Sequence, residues 1–158
     1  MSTSNLAILG CGNIGSAIAK GLTKSGMAAN NITLTQRKLE SLTELTETGF
    51  QTSIDNANAV QNAEIILLTV LPSQLMDLLD DISSSLSENH LLISIVSGVS
   101  IAEIQEKVGK DIPIIRAMPN TAAVLCESMT CLSSPPQFSQ ELKTVQTLFE
   151  KVGNTLVI

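Results

Sequence analysis

The sequence predicts an α/β domain in which helices cover both faces of a doubly wound, mostly parallel sheet. Two observations support this fold class: short apolar runs alternate with longer segments of helical periodicity, and each intervening segment is long enough for a right-handed β-α-β crossover. The chain has 158 residues, of which 44% are hydrophobic and 15% charged. That composition can build a core and excludes a disordered tail. We therefore expect one domain over residues 1–158.

Short apolar runs that stop at glycine, proline or polar residues predict the strands. The first run is Leu6–Leu9, whose unbroken apolar character indicates burial on both faces. The strongest signal spans residues 65–70 and stops before Pro72. Pro113 predicts that its strand lies near an edge or that the proline stands at its beginning. The other predicted strands cover residues 32–35, 50–53, 91–96, 112–118, 129–132 and 156–158.

Helical spacing of apolar residues predicts the segments that connect these strands. Residues 13–25, 38–48 and 73–86 each have one apolar face. Ser100 and Glu103 have the spacing of a capping box, which predicts a helix that begins there and stops near Gly109. The apolar face of a last helix is formed by Leu142, Val145, Leu148, Phe149 and Val152.

Composition excludes several classes of function. Aromatic residues are only 2% of the chain, which argues against a module that stacks nucleic-acid bases. The net charge of −6 means that any bound phosphate must be held by local groups. No apolar stretch reaches the ~18–20 residues of a membrane span, and the N-terminus lacks the basic residues of a signal peptide. We expect neither a nucleic-acid nor a membrane partner.

The cysteines indicate a reduced, cytoplasmic chain. Cys11, Cys126 and Cys131 give an odd number with no paired spacing, so a disulfide framework is not expected. Tetrahedral zinc needs three or four nitrogen and sulfur ligands. Because His90 is the only histidine and is far in sequence from these cysteines, no metal site is expected.

A glycine-rich turn follows the first strand. Gly10, Gly12 and Gly15 fit the pattern G-x-G-x-x-G between a predicted strand and a predicted helix, the context that dinucleotide binding requires. The first glycine permits the tight turn, the second lets the backbone approach a pyrophosphate, and the third lets the helix pack on the strand. The pattern predicts a Rossmann-type dinucleotide site. A glycine turn without a ligand is the alternative, and no Gly-Lys-Ser/Thr follows to indicate a P-loop.

The end of the second strand bears on the choice of cofactor. Enzymes that use NAD usually place an acidic residue there for the ribose hydroxyls. This chain instead has Thr35, Gln36, Arg37 and Lys38, with no acid before Glu40. Two hydrogen-bonding side chains and two cations suit a 2′-phosphate. We expect NADPH to be preferred over NADH, although a solvated helix start is the simpler alternative.

The glycine turn, with four other motifs, resembles the pyrroline-5-carboxylate reductase family over residues 6–158. The others are Asn56, the Val70-Leu71-Pro72 run, the Ser97-Gly98-Val99 run and the most specific one, residues 116–121. The resemblance implies that the turn holds the pyrophosphate, that Asn56 contacts the adenosine half, and that later strand ends line the nicotinamide side. Together with Thr35, Gln36, Arg37 and Lys38, predicted above from the residues themselves, the expected cofactor residues are Leu9, Gly10, Cys11, Gly12, Asn13, Ile14, Gly15, Asn56, Thr69, Val70, Leu71, Pro72, Val96, Ser97 and Gly98. Asn120 and Thr121 are implied on the substrate side.

The implied reaction is reduction of a cyclic imine, 1-pyrroline-5-carboxylate, to L-proline with NADPH. Family members continue into a helical domain that makes the dimer and completes the imine pocket, so residues 1–158 alone are expected to be inactive. We expect no catalytic residue here: His90 precedes a strand at the far edge of the sheet, and Cys11 has no base nearby. Each of Asn56, Pro72 and Asn120 could instead serve only as a cap, strand stop or turn residue.

Two positions depart from the family pattern. The family commonly has lysine where this chain has Leu71, and proline where it has Ala122. A related imine or a hydroxyacid therefore stays an alternative substrate. A stand-alone dinucleotide-binding or sensor module is the alternative from a different functional class.

Overall fold

The computed structural model describes residues 4–158 and contains one eight-stranded sheet in the order β3-β2-β1-β4-β5-β6-β7-β8. The strands are β1 (Leu6–Leu9), β2 (Ile32–Thr35), β3 (Gln51–Ser53), β4 (Ile65–Leu68), β5 (Leu91–Ser94), β6 (Ile114–Met118), β7 (Ser128–Ser133) and β8 (Gly153–Val157). The helices are α1 (Asn13–Lys24), α2 (Thr43–Glu47), α3 (Asn56–Gln61), α4 (Leu75–Ile82), α5 (Ile101–Val108) and α6 (Ser139–Glu150).

Strand β1 is the point at which the winding of the sheet reverses. It pairs in parallel with β2 on one side and with β4 on the other, and the parallel pairing extends from β3 to β6. Strand β7 is antiparallel to β6, and β8 is parallel to β7. The predicted doubly wound, mostly parallel sheet is confirmed. The carboxyl ends of β1–β6 therefore share one edge, where open α/β sheets bind ligands.

Two apolar layers form the core, one on each face of the sheet. The alternation of side chains along β1 divides it between them: Ile8 packs in the layer of Ile18 and Phe149, whereas Leu9 packs in the layer of Leu79. Helix α5 begins at the predicted capping box, where the Ser100 side chain accepts from the Glu103 N–H, and ends at Gly109 in a left-handed conformation. Helices on both faces are thus anchored to a sheet whose central strands β1 and β4 are buried and apolar.

Several boundaries differ from the predictions. Only Thr43–Glu47 of the predicted helix 38–48 is α-helical, because it begins as a 3-10 turn at Leu39–Leu42. A 3-10 turn at Pro72–Gln74 likewise precedes α4. Helix α3 has too few apolar residues to show a clear period, and it begins where the Asp55 side chain accepts from the Asn58 N–H at 2.9 Å.

The alternative that the strand containing Pro113 lies near an edge is wrong. Strand β6 lies between β5 and β7. Pro113 stands immediately before the strand, where its missing N–H removes no ladder bond and its carbonyl accepts from the Leu92 N–H at 3.0 Å. The prediction that the proline marks the beginning of the strand is therefore confirmed.

Residues 4–158 include no helix with the length and apolar character needed to cross a membrane.

Candidate functional site

The glycine turn connects β1 to α1 at the carboxyl edge of the sheet, beside the β1–β4 junction. Gly10 has a φ of +75°, which L side chains rarely adopt. A Cβ atom added there would lie 2.2 Å from Cγ1 of Val70, at the end of β4. Both the backbone conformation and the close approach of Val70 therefore require glycine at the first position of the motif.

Gly15 is favoured for a different reason. A Cβ atom at Gly15 would lie 3.0 Å from Oγ1 of Thr69 and 3.1 Å from Cγ2 of Ile8. Thr69 is itself buried and donates its hydroxyl to the Leu9 carbonyl at 2.8 Å. The third glycine thus lets α1 pack directly on the ends of β1 and β4.

Gly12 differs from both, because its surroundings do not require glycine. Its φ is −97°, and no atom of the residues described here lies within 4 Å of a Cβ added to it. Gly12 and Asn13 are exposed at the first turn of α1, which carries no acidic residue. The open space at this helix N-terminus fits an anionic group held by backbone N–H groups.

A buried threonine at the end of β2 connects the turn to the start of α3. Thr35 accepts from the Gly10 N–H at 3.2 Å and donates its hydroxyl to Oδ1 of Asn56 at 2.5 Å. Nδ2 of Asn56 donates in turn to the carboxylate of Asp81 at 3.2 Å. The side chain of Asn56 is therefore oriented by partners on β2 and α4. Sequence analysis missed Asp81, since nothing in its spacing links it to β2 or α3.

The residue after β2 also reaches the turn. Nε2 of Gln36 donates to the Cys11 carbonyl at 3.0 Å, and its Oε1 accepts from the Arg37 N–H at 3.2 Å. The Cys11 N–H donates to the Thr35 carbonyl at 2.8 Å. Thr35 and Gln36 thus face the turn, whereas the side chains of Arg37 and Lys38 are exposed to solvent.

The ends of β4 and β5 form the next part of the edge. Val70 is partly buried against the turn, Leu71 is 65% exposed, and Pro72 begins a 3-10 turn. After β5, Val96 is buried, whereas Ser97 and Gly98 are exposed. The structure thus brings the predicted nicotinamide residues of β4 and β5 together along one edge.

The end of β6 carries the predicted substrate-side residues. Oδ1 of Asn120 accepts from the Ala122 N–H at 3.1 Å and caps the 3-10 turn Thr121–Leu125. Its Nδ2 donates to the Met129 carbonyl at 3.4 Å. Asn120 therefore has a capping role in this fold, and Thr121 beside it is exposed. Four residues earlier, on β6, the Arg116 guanidinium donates to the Val99 carbonyl and holds the loop after β5.

Two titratable side chains are buried within residues 4–158, and neither is suited to catalysis. Burial raises the pKa of the Cys11 thiol to about 12, so Cys11 is a packing residue and a poor nucleophile. Nδ1 of His90 accepts from the Ser87 N–H at 2.9 Å, and burial lowers the pKa of this imidazole. His90 precedes β5 and so lies at the opposite edge of the sheet. Residues 4–158 contain no group of three or more metal-ligating side chains.

Comparisons with known proteins agree with this geometry. A family model described as "NADP oxidoreductase coenzyme F420-dependent" matches residues 5–98. Pyrroline-5-carboxylate reductase 1 of Dictyostelium discoideum is 42% identical over 168 residues, covering 98% of this chain but only 30% of that protein. Among solved structures, a pyrroline-5-carboxylate reductase from Coxiella burnetii has a TM-score of 0.92 and 31% identity, covering 99% of this chain and 59% of that one.

A second solved structure carries a cofactor. The pyrroline carboxylate reductase of Plasmodium falciparum with NADP bound has a TM-score of 0.89 and 27% identity, and it covers 100% of this chain and 58% of that one. The present sequence therefore spans about three fifths of the matched structures and less than a third of the Dictyostelium protein. The chain belongs to the family of NADP oxidoreductases described as coenzyme F420-dependent, and its relatives are pyrroline-5-carboxylate reductases.

Proposed function

We propose that residues 1–158 form the NADPH-binding domain of a reductase that converts 1-pyrroline-5-carboxylate to L-proline. The observation that carries this proposal is the glycine turn, in which the protein itself crowds Gly10 and Gly15 but leaves the space around Gly12 open. An open position between two crowded ones is what a site for a pyrophosphate needs. The Plasmodium relative, whose structure contains NADP, supports the same cofactor here.

The proposed cofactor site has three parts, which lie along the carboxyl edge of the sheet. N–H groups of the turn and of the first turn of α1 hold the pyrophosphate. Arg37, whose backbone N–H donates to Oε1 of Gln36, binds the 2′-phosphate together with Lys38, and Asn56 contacts the adenosine half. The residues of the nicotinamide side follow β4, β5 and β6: Thr69, Val70, Leu71, Pro72, Val96, Ser97, Gly98, Asn120 and Thr121.

When bound, the reduced nicotinamide would supply the hydride that reduces the carbon of a cyclic C=N bond. The residues of this chain bind and orient the cofactor and cover one side of it. We assign no catalytic residue within residues 4–158, because the buried His90 lies at the wrong edge and the Cys11 thiol is too weak an acid. The proton for the imine nitrogen must therefore come from substrate, solvent or further polypeptide.

An apolar surface lies on the outer face of β6–β8 and supports the need for further polypeptide. Met118, Cys131 and Leu156 are paired across these three strands, and Met129 lies beside them on β7. Met118, Met129 and Leu156 are 41%, 50% and 54% exposed. We propose that additional polypeptide covers this surface, completes the imine pocket and forms a homo-oligomer. The length of the matched relatives supports this.

The compartment belongs to the same proposal. The three cysteines Cys11, Cys126 and Cys131 are all free thiols in the structure. Free thiols are typical of a reducing compartment, which supports the cytoplasm.

The cofactor site is tested with Gly12→Val. Because Gly12 has a negative φ and open space around it, the variant is expected to fold, and its side chain should occupy the pyrophosphate position and abolish NADPH binding. Gly109→Asn is the matched control, since Gly109 ends α5 at the opposite edge of the sheet and Asn tolerates its left-handed φ of +65°. Calorimetric titration of both folded variants distinguishes the outcomes. Wild-type affinity in Gly12→Val would show that the turn binds no dinucleotide.

A further inference from the structure

Gln36 is a candidate for an indirect role in cofactor choice, because its side chain contacts two elements that each face the proposed ligand. Its backbone is fixed, since its N–H donates to the Ser53 carbonyl of β3 at 3.2 Å. From there the carboxamide donates to the Cys11 carbonyl at 3.0 Å and accepts from the Arg37 N–H at 3.2 Å. One side chain thus joins the pyrophosphate turn to the residue expected to read the 2′-phosphate.

The bond to Cys11 determines the orientation of a peptide group in the turn. In a planar trans peptide, the carbonyl of one residue and the N–H of the next point in opposite directions. Gln36 holds the Cys11 carbonyl toward β2, so the Gly12 N–H must point away from β2. The preceding peptide is fixed as well, because the Cys11 N–H donates to the Thr35 carbonyl at 2.8 Å. Gln36 therefore sets the direction in which the N–H of the open glycine is presented.

The bond to Arg37 fixes the backbone from which the exposed guanidinium extends. Together with the bond to Cys11, it explains why an amide and not an acidic residue follows β2. A glutamate at position 36 could still accept from the Arg37 N–H, but a carboxylate cannot donate to the Cys11 carbonyl. It would also place a negative charge next to a 2′-phosphate. Only an amide of this length satisfies both neighbours without adding charge.

We propose that Gln36 is a positioning residue that sets the preference for NADPH by acting through Cys11 and Arg37. This inference rests on the proposed cofactor site and concerns how that site discriminates between cofactors. Removal of the amide should loosen the turn, which weakens both cofactors, and should release Arg37, which weakens NADPH further. The ratio of the two affinities is therefore the informative quantity.

The test compares Gln36→Met, which keeps the length but removes both bonds, with Gln36→Glu. Because Gln36→Met loses two hydrogen bonds, one of which positions Arg37, it should weaken NADPH binding about 10-fold and NADH binding about 3-fold. Gln36→Glu should weaken NADPH binding about 100-fold and leave NADH within about 3-fold. Gln51→Met and Gln51→Glu are matched controls at the start of β3, where Gln51 is exposed, and neither should change the ratio.

A double-mutant comparison distinguishes an indirect role of Gln36 from direct contact with the cofactor. In an Arg37→Ala background, Gln36→Met should no longer change the NADPH-to-NADH ratio, because the residue through which it acts is gone. In the free protein, amide NMR signals of Gly12 and Arg37 should shift in Gln36→Met and stay in place in Gln51→Met. An unchanged ratio in Gln36→Met, or a changed ratio without Arg37, overturns this inference alone. A wild-type chain that binds neither cofactor overturns the proposed function as well.

Discussion

The two ends of the sheet differ in whether their side chains find partners within the domain. Around β1, β2 and β4, the side chains of Thr35, Gln36, Asn56 and Thr69 all have hydrogen-bond partners. At the other end, the outer face of β6–β8 exposes large apolar side chains, and the last residue, Ile158, is 75% exposed. The first region forms its geometry from its own residues, whereas the second presents an apolar surface to solvent.

This difference indicates which part of the proposed reaction the chain can perform by itself. A cofactor site made of backbone groups and satisfied side chains is preorganised, so binding should not depend on other polypeptide. An exposed apolar surface of this kind marks an interaction site. We therefore expect residues 1–158 to bind the cofactor and to show no steady-state reduction of 1-pyrroline-5-carboxylate.

The contact that joins the two regions should be the most sensitive to substitution. A Cβ at Gly21 of α1 would lie 2.0 Å from the backbone carbonyl oxygen of Ala123, in the 3-10 turn after β6. Gly21→Ala should therefore force α1 away from that turn and lower the free energy of unfolding by about 3 kcal/mol or more. Urea denaturation measures this, with Lys24→Ala on the exposed side of α1 as control. Equal stability of the two variants would contradict the close packing.

The next largest effect is expected in the cofactor region. Arg37→Ala should weaken NADPH binding about 10- to 150-fold, since a hydrogen bond to a charged group contributes roughly 1.5–3 kcal/mol. NADH affinity should change little, because NADH lacks the 2′-phosphate. Calorimetric titration of both cofactors measures this, and Lys151→Ala, distant from the site, is the control for charge. Equal losses for both cofactors would show that Arg37 does not read the 2′-phosphate.

Substitutions in the apolar region should change self-association and leave cofactor binding unchanged. We expect the chain to self-associate through the outer face of β6–β8, and a Met129→Lys, Leu156→Lys double variant should shift it toward the monomer in sedimentation velocity. NADPH affinity should stay unchanged, because these residues lie away from the glycine turn. A double variant that self-associates as strongly as the wild type would place the contact elsewhere.

The smallest expected effect concerns pH. Burial lowers the pKa of His90 in the folded chain, so the unfolded chain takes up a proton first as the pH falls. The contribution of His90 to folding stability is therefore fully present above the ordinary pKa of about 6.5 and declines below it. Between about pH 7.5 and pH 5.5, the wild type should lose more thermal stability than His90→Gln. Melting curves at both pH values test this, and parallel losses would contradict it.

The sequence predicts local structure best where a backbone constraint restricts which residue types a position can hold. Gly10 and Gly15 indicate the turn because a positive φ at Gly10 and a close helix contact at Gly15 each disfavour a side chain. The Ser100–Glu103 spacing likewise located the start of α5, since that reciprocal bond is local. Short, unbroken apolar runs predict β1 and β4 because central strands of a parallel sheet are buried on both faces.

Features that depend on distant partners could not be predicted in this way. Asp81 orients Asn56 from α4, 25 positions later in the chain, and nothing local in either segment indicates that pairing. Gln36 was predicted as a polar residue of the 2′-phosphate site, but its bond to Cys11 depends on how β1 and β2 align. Helix α3 was missed because its short polar sequence follows its Asp55 cap without a clear apolar period.

The central claim is that residues 1–158 contain a complete, NADPH-selective dinucleotide site. Calorimetric titration of the wild-type chain with NADPH, and with NADH in parallel, tests it most directly. The structure predicts saturable binding of one cofactor per chain, with NADPH bound more tightly than NADH. Absence of saturable NADPH binding by the folded chain, or NADH bound as tightly as NADPH, would contradict the claim.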